Sequence, residues 1–251
     1  KNLATYTGLD SANILVGNGS DELLLLIITT FLAPDKKAVI SVPTFGMYHF
    51  YADIMAGGAY KVDFKKNNNF SADWSKIKRY AVKPDTGLII FCSPNNPTGH
   101  LLDFTKLEDF LKKTNKLVLV DEAYYEFSGK TLVGLIEKYP NLIVSRTFSK
   151  AFALAGLRIG YLAANSKIID KIEKYRSPYN ADSFSQNTAV LILTKLEKFK
   201  EQWKQLVENR KILYKELKQL SGIVPYNSQA NFILFNTNLP EKMIYKKLKE
   251  K

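Results

Sequence analysis

The chain has 251 residues, 46% of them hydrophobic, and a formal net charge of +12 from 36 basic and 24 acidic side chains. That is enough apolar material for one large globular domain or two ordinary ones, which excludes a disordered or small stapled scaffold. No run of about 18 uncharged apolar residues exists, so no membrane-spanning helix is expected, and the polar opening at Lys1 does not read as a signal peptide.

The single cysteine, Cys92, has no internal disulfide partner and sits behind the apolar Ile89-Ile90-Phe91, which favours a reducing, cytoplasmic location. The lysines are scattered rather than clustered into a basic face. A solvated surface is therefore expected rather than a nucleic-acid partner.

The first element in chain order is a glycine-rich loop, Gly17-Asn18-Gly19-Ser20-Asp21-Glu22, that opens a helix over Asp21–Phe31 ending near Pro34. Apolar strands follow at 38–42, 88–92, 117–120, 142–144 and 159–163, and a helix at 104–113. Several of these strands are apolar throughout rather than alternating, as in a sheet covered on both faces. The alternation of strand and helix predicts an α/β class with a three-layer, mostly parallel sheet. From about Phe184 to Leu220 the pattern is a long charged amphipathic helix or helix pair, stopped at Ser221-Gly222. A short strand at 231–235 and a lysine-rich helix close the sequence. Residues 1–195 read as a large ligand-binding domain, and residues 196–251 as a connecting helix and the start of a small α+β domain that the sequence does not complete.

Ligands in such sheets bind beyond the carboxyl ends of the strands, and the sequence concentrates its chemistry there. Free amides at the start of the first helix suit a phosphate, although simple capping by Ser20 or Asp21 explains the same wording. After the 38–42 strand, Phe45 can stack on a flat heteroaromatic ring; core packing competes for Phe45 and is favoured for Tyr48. In Ser93-Pro94-Asn95-Asn96-Pro97-Thr98-Gly99 the Asn96 amide can donate to a phenolate oxygen from a fixed turn. Asp121, at the mouth of the 117–120 strand, needs a cation. A protonated pyridine nitrogen would serve, and so would a local arginine such as Arg146. Tyr124 can hydrogen-bond the oxygen of such a ring.

The segment Ser145–Arg158 supplies a lysine three residues after Thr147, one after Ser149 and eight before Arg158. Its amine can condense with an aldehyde and later carry a proton between two carbons, while the hydroxyls and the guanidinium hold a phosphate. Each motif alone has a bland explanation; the argument rests on their agreement. The turn Arg176–Asn180 reads as structural.

With these residues in order, the chain resembles the fold-type I pyridoxal-phosphate aminotransferases, and within them the histidinol-phosphate aminotransferases. GNGSDEL, PTFGMY, SPNNPTG, DEAY, TFSKAFALAGLRIGY and QANFILF carry the resemblance from Gly17 to Phe235. It implies pyridoxal 5'-phosphate as cofactor, with Lys150 as the Schiff-base lysine and Asp121 as partner of the pyridine nitrogen. Asn96 and Tyr124 are then the ligands of the ring hydroxyl, and Phe45 the stacking ring, where many relatives have tyrosine. Ser20, Asp21, Glu22, Thr147, Ser149 and Arg158 are placed around the phosphate, and Lys150, Asp121 and Tyr124 carry the catalysis. The implied reaction moves an amino group between L-histidinol phosphate and 2-oxoglutarate in histidine biosynthesis, in a homodimer with its sites at the subunit interface. No metal is implied. The chain departs from the pattern at both ends. It lacks the N-terminal arm, whose tyrosine in relatives reaches the partner's cofactor phosphate, and it stops before the C-terminal arginines that bind the substrate carboxylate or phosphate. It therefore reads as a piece of a longer enzyme. Three alternatives stay open: an aromatic amino-acid aminotransferase, a pyridoxal-phosphate lyase such as threonine-phosphate decarboxylase, and a basic nucleic-acid-binding protein suggested by net charge alone.

Overall fold

The structure, a computed structural model, describes residues 1–55, 57–65 and 70–250. Nine strands are described: β1 (Ile14–Gly17), β2 (Lys37–Val42), β3 (Ala59–Asp63), β4 (Thr86–Cys92), β5 (Leu117–Asp121), β6 (Leu142–Thr147), β7 (Gly160–Ala164), β8 (Ile223–Pro225) and β9 (Phe235–Thr237). The helices are α1 (Asn2–Thr7), α2 (Gly19–Phe31), α3 (Met47–Met55), α4 (Trp74–Ala81), α5 (Phe104–Leu111), α6 (Tyr125–Ser128), α7 (Ser166–Glu173), α8 (Ser183–Thr194), α9 (Leu196–Leu217) and α10 (Glu241–Lys249). Seven strands form one sheet in the order β1-β7-β6-β5-β4-β2-β3, and β8 pairs with β9 separately. Neighbours from β3 through β6 are parallel, while β7 runs antiparallel to both β6 and β1.

The apolar runs are explained by what lies on each face. Leu88 and Ile90 of β4, Leu119 of β5 and Ile143 of β6 pack into one core with α2, α3 and α7. Their odd-even neighbours Ile89, Phe91, Val118, Val120, Leu142 and Val144 pack into a second core with α4 and α5. Because strand side chains alternate between faces, a strand buried on both sides must be apolar at every position. Leu23, Leu24, Ile27 and Ile28 make one side of α2 and are fully buried; each contributes on the order of 1.5–3 kcal/mol by leaving water. Helix starts follow capping chemistry: Asp73, Asp103 and Asp182 each accept a hydrogen bond from an amide in the first turn of α4, α5 and α8.

Two features differ from the sequence-based reading. β1 (Ile-Leu-Val-Gly) and β3 are strands that the sequence reading did not include. β3, Ala-Tyr-Lys-Val-Asp, is an edge strand with exposed Lys61 and Asp63, so the continuous hydrophobicity of a central strand is absent. The last strand begins at Phe235 rather than Asn231. Residues 228–230 are instead tied to the body: the Gln229 amide donates to the Gly99 carbonyl at 2.6 Å, and Arg210 Nη1 donates to the Ala230 carbonyl at 2.6 Å. Ladder pairing begins only where β8 offers a partner. The charged segment after Phe184 is a helix pair, α8 and α9, with Lys195 at the break between them.

Candidate active site

The carboxyl ends of β4, β5 and β6 and the start of α2 surround a cavity of ≈ 150 Å³. Ser20, Asp21, Phe45, Asn96, Asp121, Tyr124, Thr147, Ser149, Lys150 and Arg158 line it. Ten of the eleven residues singled out in the sequence therefore converge, although they span 138 positions of the chain (158 − 20). Glu22 does not join them. Its Oε2 accepts from the Asn18 amide at 2.6 Å and from Asn180 Nδ2 at 2.8 Å, so it braces the glycine loop against the Arg176–Asn180 turn. Tyr48, Cys92, Ala123 and Ala155 also line the cavity without having been singled out for it. The available signal for Tyr48 was its helical spacing of three from Phe45.

Asp121 ends β5 and is only 3% exposed. Its Oδ2 accepts from the Tyr48 hydroxyl at 2.7 Å and its Oδ1 from the Ala123 amide at 3.1 Å. No ion pair to Asp121 occurs among the described residues. Burial raises its carboxyl above the usual range, opposed by these hydrogen bonds. Arg146, the local alternative for a cation, is committed elsewhere. Its Nε and Nη2 donate to Glu122 Oε2 at 3.0 and 2.9 Å, both side chains being almost fully buried.

Asn96 Nδ2 donates to the Tyr124 hydroxyl at 3.5 Å, and burial pushes that phenol up to about 12, so it remains protonated at neutral pH. The Lys150 ammonium lies 5.7 Å from the Tyr124 ring centre and is exposed at the rim. Its backbone is held between buried Phe148 and Phe152, and Trp203 Nε1 donates to the adjacent Ala151 carbonyl at 2.7 Å.

Arg158 Nη2 donates to Asp21 Oδ2 at 2.9 Å across the glycine loop; with both groups over 40% exposed, this pair orients more than it stabilises. Gly19, at φ +79°, makes that approach feasible, since a Cβ there would stand 2.7 Å from Arg158 Nη2. A Cβ on Gly160 would stand 2.7 Å from the Ser20 amide nitrogen, so β7 must also be bare where α2 begins. Hydroxyls, a guanidinium and a helix start on the cavity lining, together with a buried carboxylate and a lysine, can hold a phosphate-bearing cationic ring and attack its aldehyde.

Behind Phe45, a hydrogen-bond chain ties the two proline-containing loops together. Thr44 Oγ1 donates to Asn95 Oδ1 at 2.6 Å, Asn95 Nδ2 donates to Thr98 Oγ1 at 2.7 Å, and Thr98 Oγ1 contacts His100 Nδ1 at 2.6 Å. With Thr98 donating, His100 is neutral with its proton on Nε2. Burial lowers its pKa from 6.5 to about 4. Below pH 6.5 the unfolded chain takes up a proton that folded His100 refuses until about pH 4. Its contribution is therefore complete above pH 6.5 and is lost as the pH falls, by about 2 kcal/mol at pH 5. Urea unfolding at pH 7.5 and pH 5 should show this loss in the parent and not in His100→Gln; an equal loss in both would remove His100 as its source.

Fold and cavity together define a group-transfer enzyme of the α/β class. Residues 1–251 match the family described as aminotransferase class I and II, and the chain belongs to that family. It is 42% identical over 250 residues to a histidinol-phosphate aminotransferase of Ruminiclostridium cellulolyticum, covering 99% of this chain and 70% of that protein. It is 40% identical over 232 residues to one of Thermoanaerobacter sp., covering 92% of this chain and 65% of that protein. The chain thus spans about two thirds of the length of these curated relatives. Among solved structures, the histidinol-phosphate aminotransferase of Clostridium acetobutylicum superimposes with a TM-score of 0.90 at 27% identity, covering 99% of this chain and 75% of that one. The sheet and its helices are those of the fold-type I pyridoxal-phosphate aminotransferases.

Proposed function

We propose that this cavity binds pyridoxal 5'-phosphate and that the protein transfers an amino group between L-histidinol phosphate and 2-oxoglutarate. The observation that carries the cofactor reading is the buried carboxylate of Asp121, without an ion-pair partner among the described residues, on the lining of a cavity that Lys150 also lines. An isolated buried carboxylate is costly, and a protonated pyridine nitrogen would supply the missing charge. The donor set at the far end, Ser20, Thr147, Ser149 and Arg158, suits a phosphate. The substrate reading comes from the relatives at 40–42% identity.

Bound there, pyridoxal phosphate would supply an aldehyde for covalent attachment and a ring that takes up the electron pair left when a substrate carbon loses its proton. The chain's own groups do the rest. Lys150 Nζ would be the attachment point and, as a free amine, would move a proton between the two carbons as base and then acid. Asp121 keeps the opposing ring nitrogen charged. Asn96 and Tyr124, both neutral, hydrogen-bond the ring oxygen, and Phe45 covers one ring face. Arg158 carries the positive charge beside the phosphate, with Asp21 fixing its orientation.

We read residues 1–195 as the cofactor-binding unit and α9 as the connection to a second one. A second copy of the chain is the partner we infer, supported by Phe50, Ile54 and Phe184, which are more than half exposed on α3 and α8. Among the described residues no helix is long and apolar enough to cross a membrane, in keeping with a cytoplasmic biosynthetic role.

The test is a coupled assay for glutamate formed from 2-oxoglutarate. Turnover with L-histidinol phosphate should exceed that with phenylalanine by at least about tenfold, the preference that the relatives at 40–42% identity imply. Faster turnover with phenylalanine, or carbon dioxide released from O-phosphothreonine, would replace this reading.

A further inference from the structure

Tyr48 is fully buried, yet it is not simply core. It is the second residue of α3, reaches the last residue of β5 with a 2.7 Å hydrogen bond to Asp121 Oδ2, and lines the cavity. Its ring meets Phe45 edge-on, with centroids 5.6 Å apart and planes at 81°. One side chain thus touches both the carboxylate assigned to the ring nitrogen and the ring assigned to stacking. We propose that Tyr48 is the positioning residue of the cofactor ring site: its hydroxyl fixes Asp121 in the charged form, and its edge seats Phe45. This rests on the cofactor reading above but does not depend on the substrate.

A phenol is suited to the task. Burial and the adjacent carboxylate hold the Tyr48 hydroxyl well above its ordinary value, so it donates and never competes as an anion. The bond rewards an ionised acceptor more than a neutral one. The Ser145 side chain and the Ala123 amide act in the same direction but less strongly than Tyr48; the remaining groups facing Asp121 do not share this work. Cys92, from β4, has its thiol pushed up to about 12 by burial and stays neutral. Asp21, from α2, is negative and raises Asp121 further. Tyr124 is protonated and its hydroxyl oxygen accepts from Asn96 Nδ2. Lys150 and Arg158 stand elsewhere on the cavity lining and make no ion pair with Asp121 among the described residues. Without the Tyr48 hydroxyl, burial loses the largest group that opposes it and favours the proton on Asp121 more strongly, and a protonated carboxyl offers the ring nitrogen no counter-charge.

The test measures the dissociation constant of pyridoxal phosphate for the apo-protein between pH 8.5 and 6, in the parent and in Tyr48→Phe. Charged hydrogen bonds are worth at least about tenfold in an equilibrium. The variant-to-parent ratio should therefore grow by about tenfold as the pH falls through this range. In the Asp121→Asn background, Tyr48→Phe should leave the pH dependence unchanged. A ratio that is constant with pH, or an equal effect in both backgrounds, overturns the proposal in favour of packing alone. If Tyr48→Phe fails to fold, 3-fluorotyrosine at position 48 keeps ring and hydroxyl while strengthening the donor, and should move the acid limb of binding to lower pH. An unmoved or raised limb overturns the proposal. Absence of any cofactor binding by the parent would sink both readings, whereas absence of amino transfer to 2-oxoglutarate would leave this one standing.

Discussion

Lys150→Ala is expected to remove the reducible attachment of pyridoxal phosphate and to lower amino transfer by about 10⁴-fold, the upper end of what a positioned proton-transfer group contributes. The size of the effect follows from one amine having two tasks, attachment and proton transfer, with no second lysine on the cavity wall among the described residues. Its backbone is set before any ligand arrives. Phe148 and Phe152 on either side are 1% and 2% exposed and pack on each other with centroids 4.7 Å apart. Removing the side chain therefore leaves the cradle in place, and the cofactor should still bind through the phosphate donors and Asp121. Borohydride treatment followed by peptide mapping checks the first half. The cofactor mass should appear on the peptide carrying Lys150 in the parent and on no peptide in the variant. Lys150→Arg separates charge from nucleophilicity, since a guanidinium keeps the charge and does not condense with an aldehyde; it should be as inactive as the alanine variant. Attachment at another lysine, or turnover within about tenfold of the parent in Lys150→Ala, would remove Lys150 from its role.

The same residues show how far a sequence can be read and where it stops. The central strands were legible because burial on both faces leaves a uniform apolar run, and the residue after each run is by topology at a ligand-binding edge. Hence Asp121 after Val120 and Asn96 after the 88–92 strand could be placed beside Lys150 before any coordinates. β3 escaped because an edge strand with Lys61 and Asp63 carries no such run. Glu22 was misjudged for a different reason. A carboxylate at a helix start serves a ligand or its own loop equally well from spacing alone, and only the contacts to the Asn18 amide and Asn180 decide between them. Tyr48 was legible as buried but not as a donor to Asp121, because its partner lies 73 positions away and nothing local announces it. The question of which cation Asp121 faces also needed three dimensions: Arg146 is one strand away in the sheet yet spends its guanidinium on the neighbouring Glu122.

That neighbouring pair carries the second large effect, on stability rather than chemistry. Glu122 and Arg146 are 0% and 3% exposed in their side chains. The pair is fully hydrogen-bonded: Glu122 also accepts from the Leu132 amide at 2.7 Å and from Thr131 Oγ1 at 2.8 Å, and Arg146 Nη1 donates to the Tyr161 hydroxyl at 3.1 Å. The guanidinium also lies 3.6 Å from the centre of the Tyr125 ring. Glu122→Gln leaves a buried guanidinium without its counter-charge, and Arg146→Met leaves a buried carboxylate without one. Each should cost about 3–5 kcal/mol, equivalent to lowering the melting temperature by roughly 10 °C for a chain of this size. The double variant should recover most of that loss, because two uncharged side chains of similar volume remove the desolvation cost along with the attraction. Glu126 sharpens the expectation for Arg146. Its carboxyl, raised to about 7 by burial, is partly held down by that guanidinium, so Arg146→Met should drive it up further and make the variant's stability fall more steeply as the pH rises above neutral. Urea unfolding of the parent, both single variants and the double variant decides the matter. Single variants costing less than about 1 kcal/mol would mean that water reaches the pair. A double variant as unstable as the sum of the singles would mean that the two charges do not interact. Glu122 adjoins Asp121 and Arg146 adjoins Thr147, but neither side chain is among those that line the cavity, so amino transfer below the melting transition should fall far less than stability does.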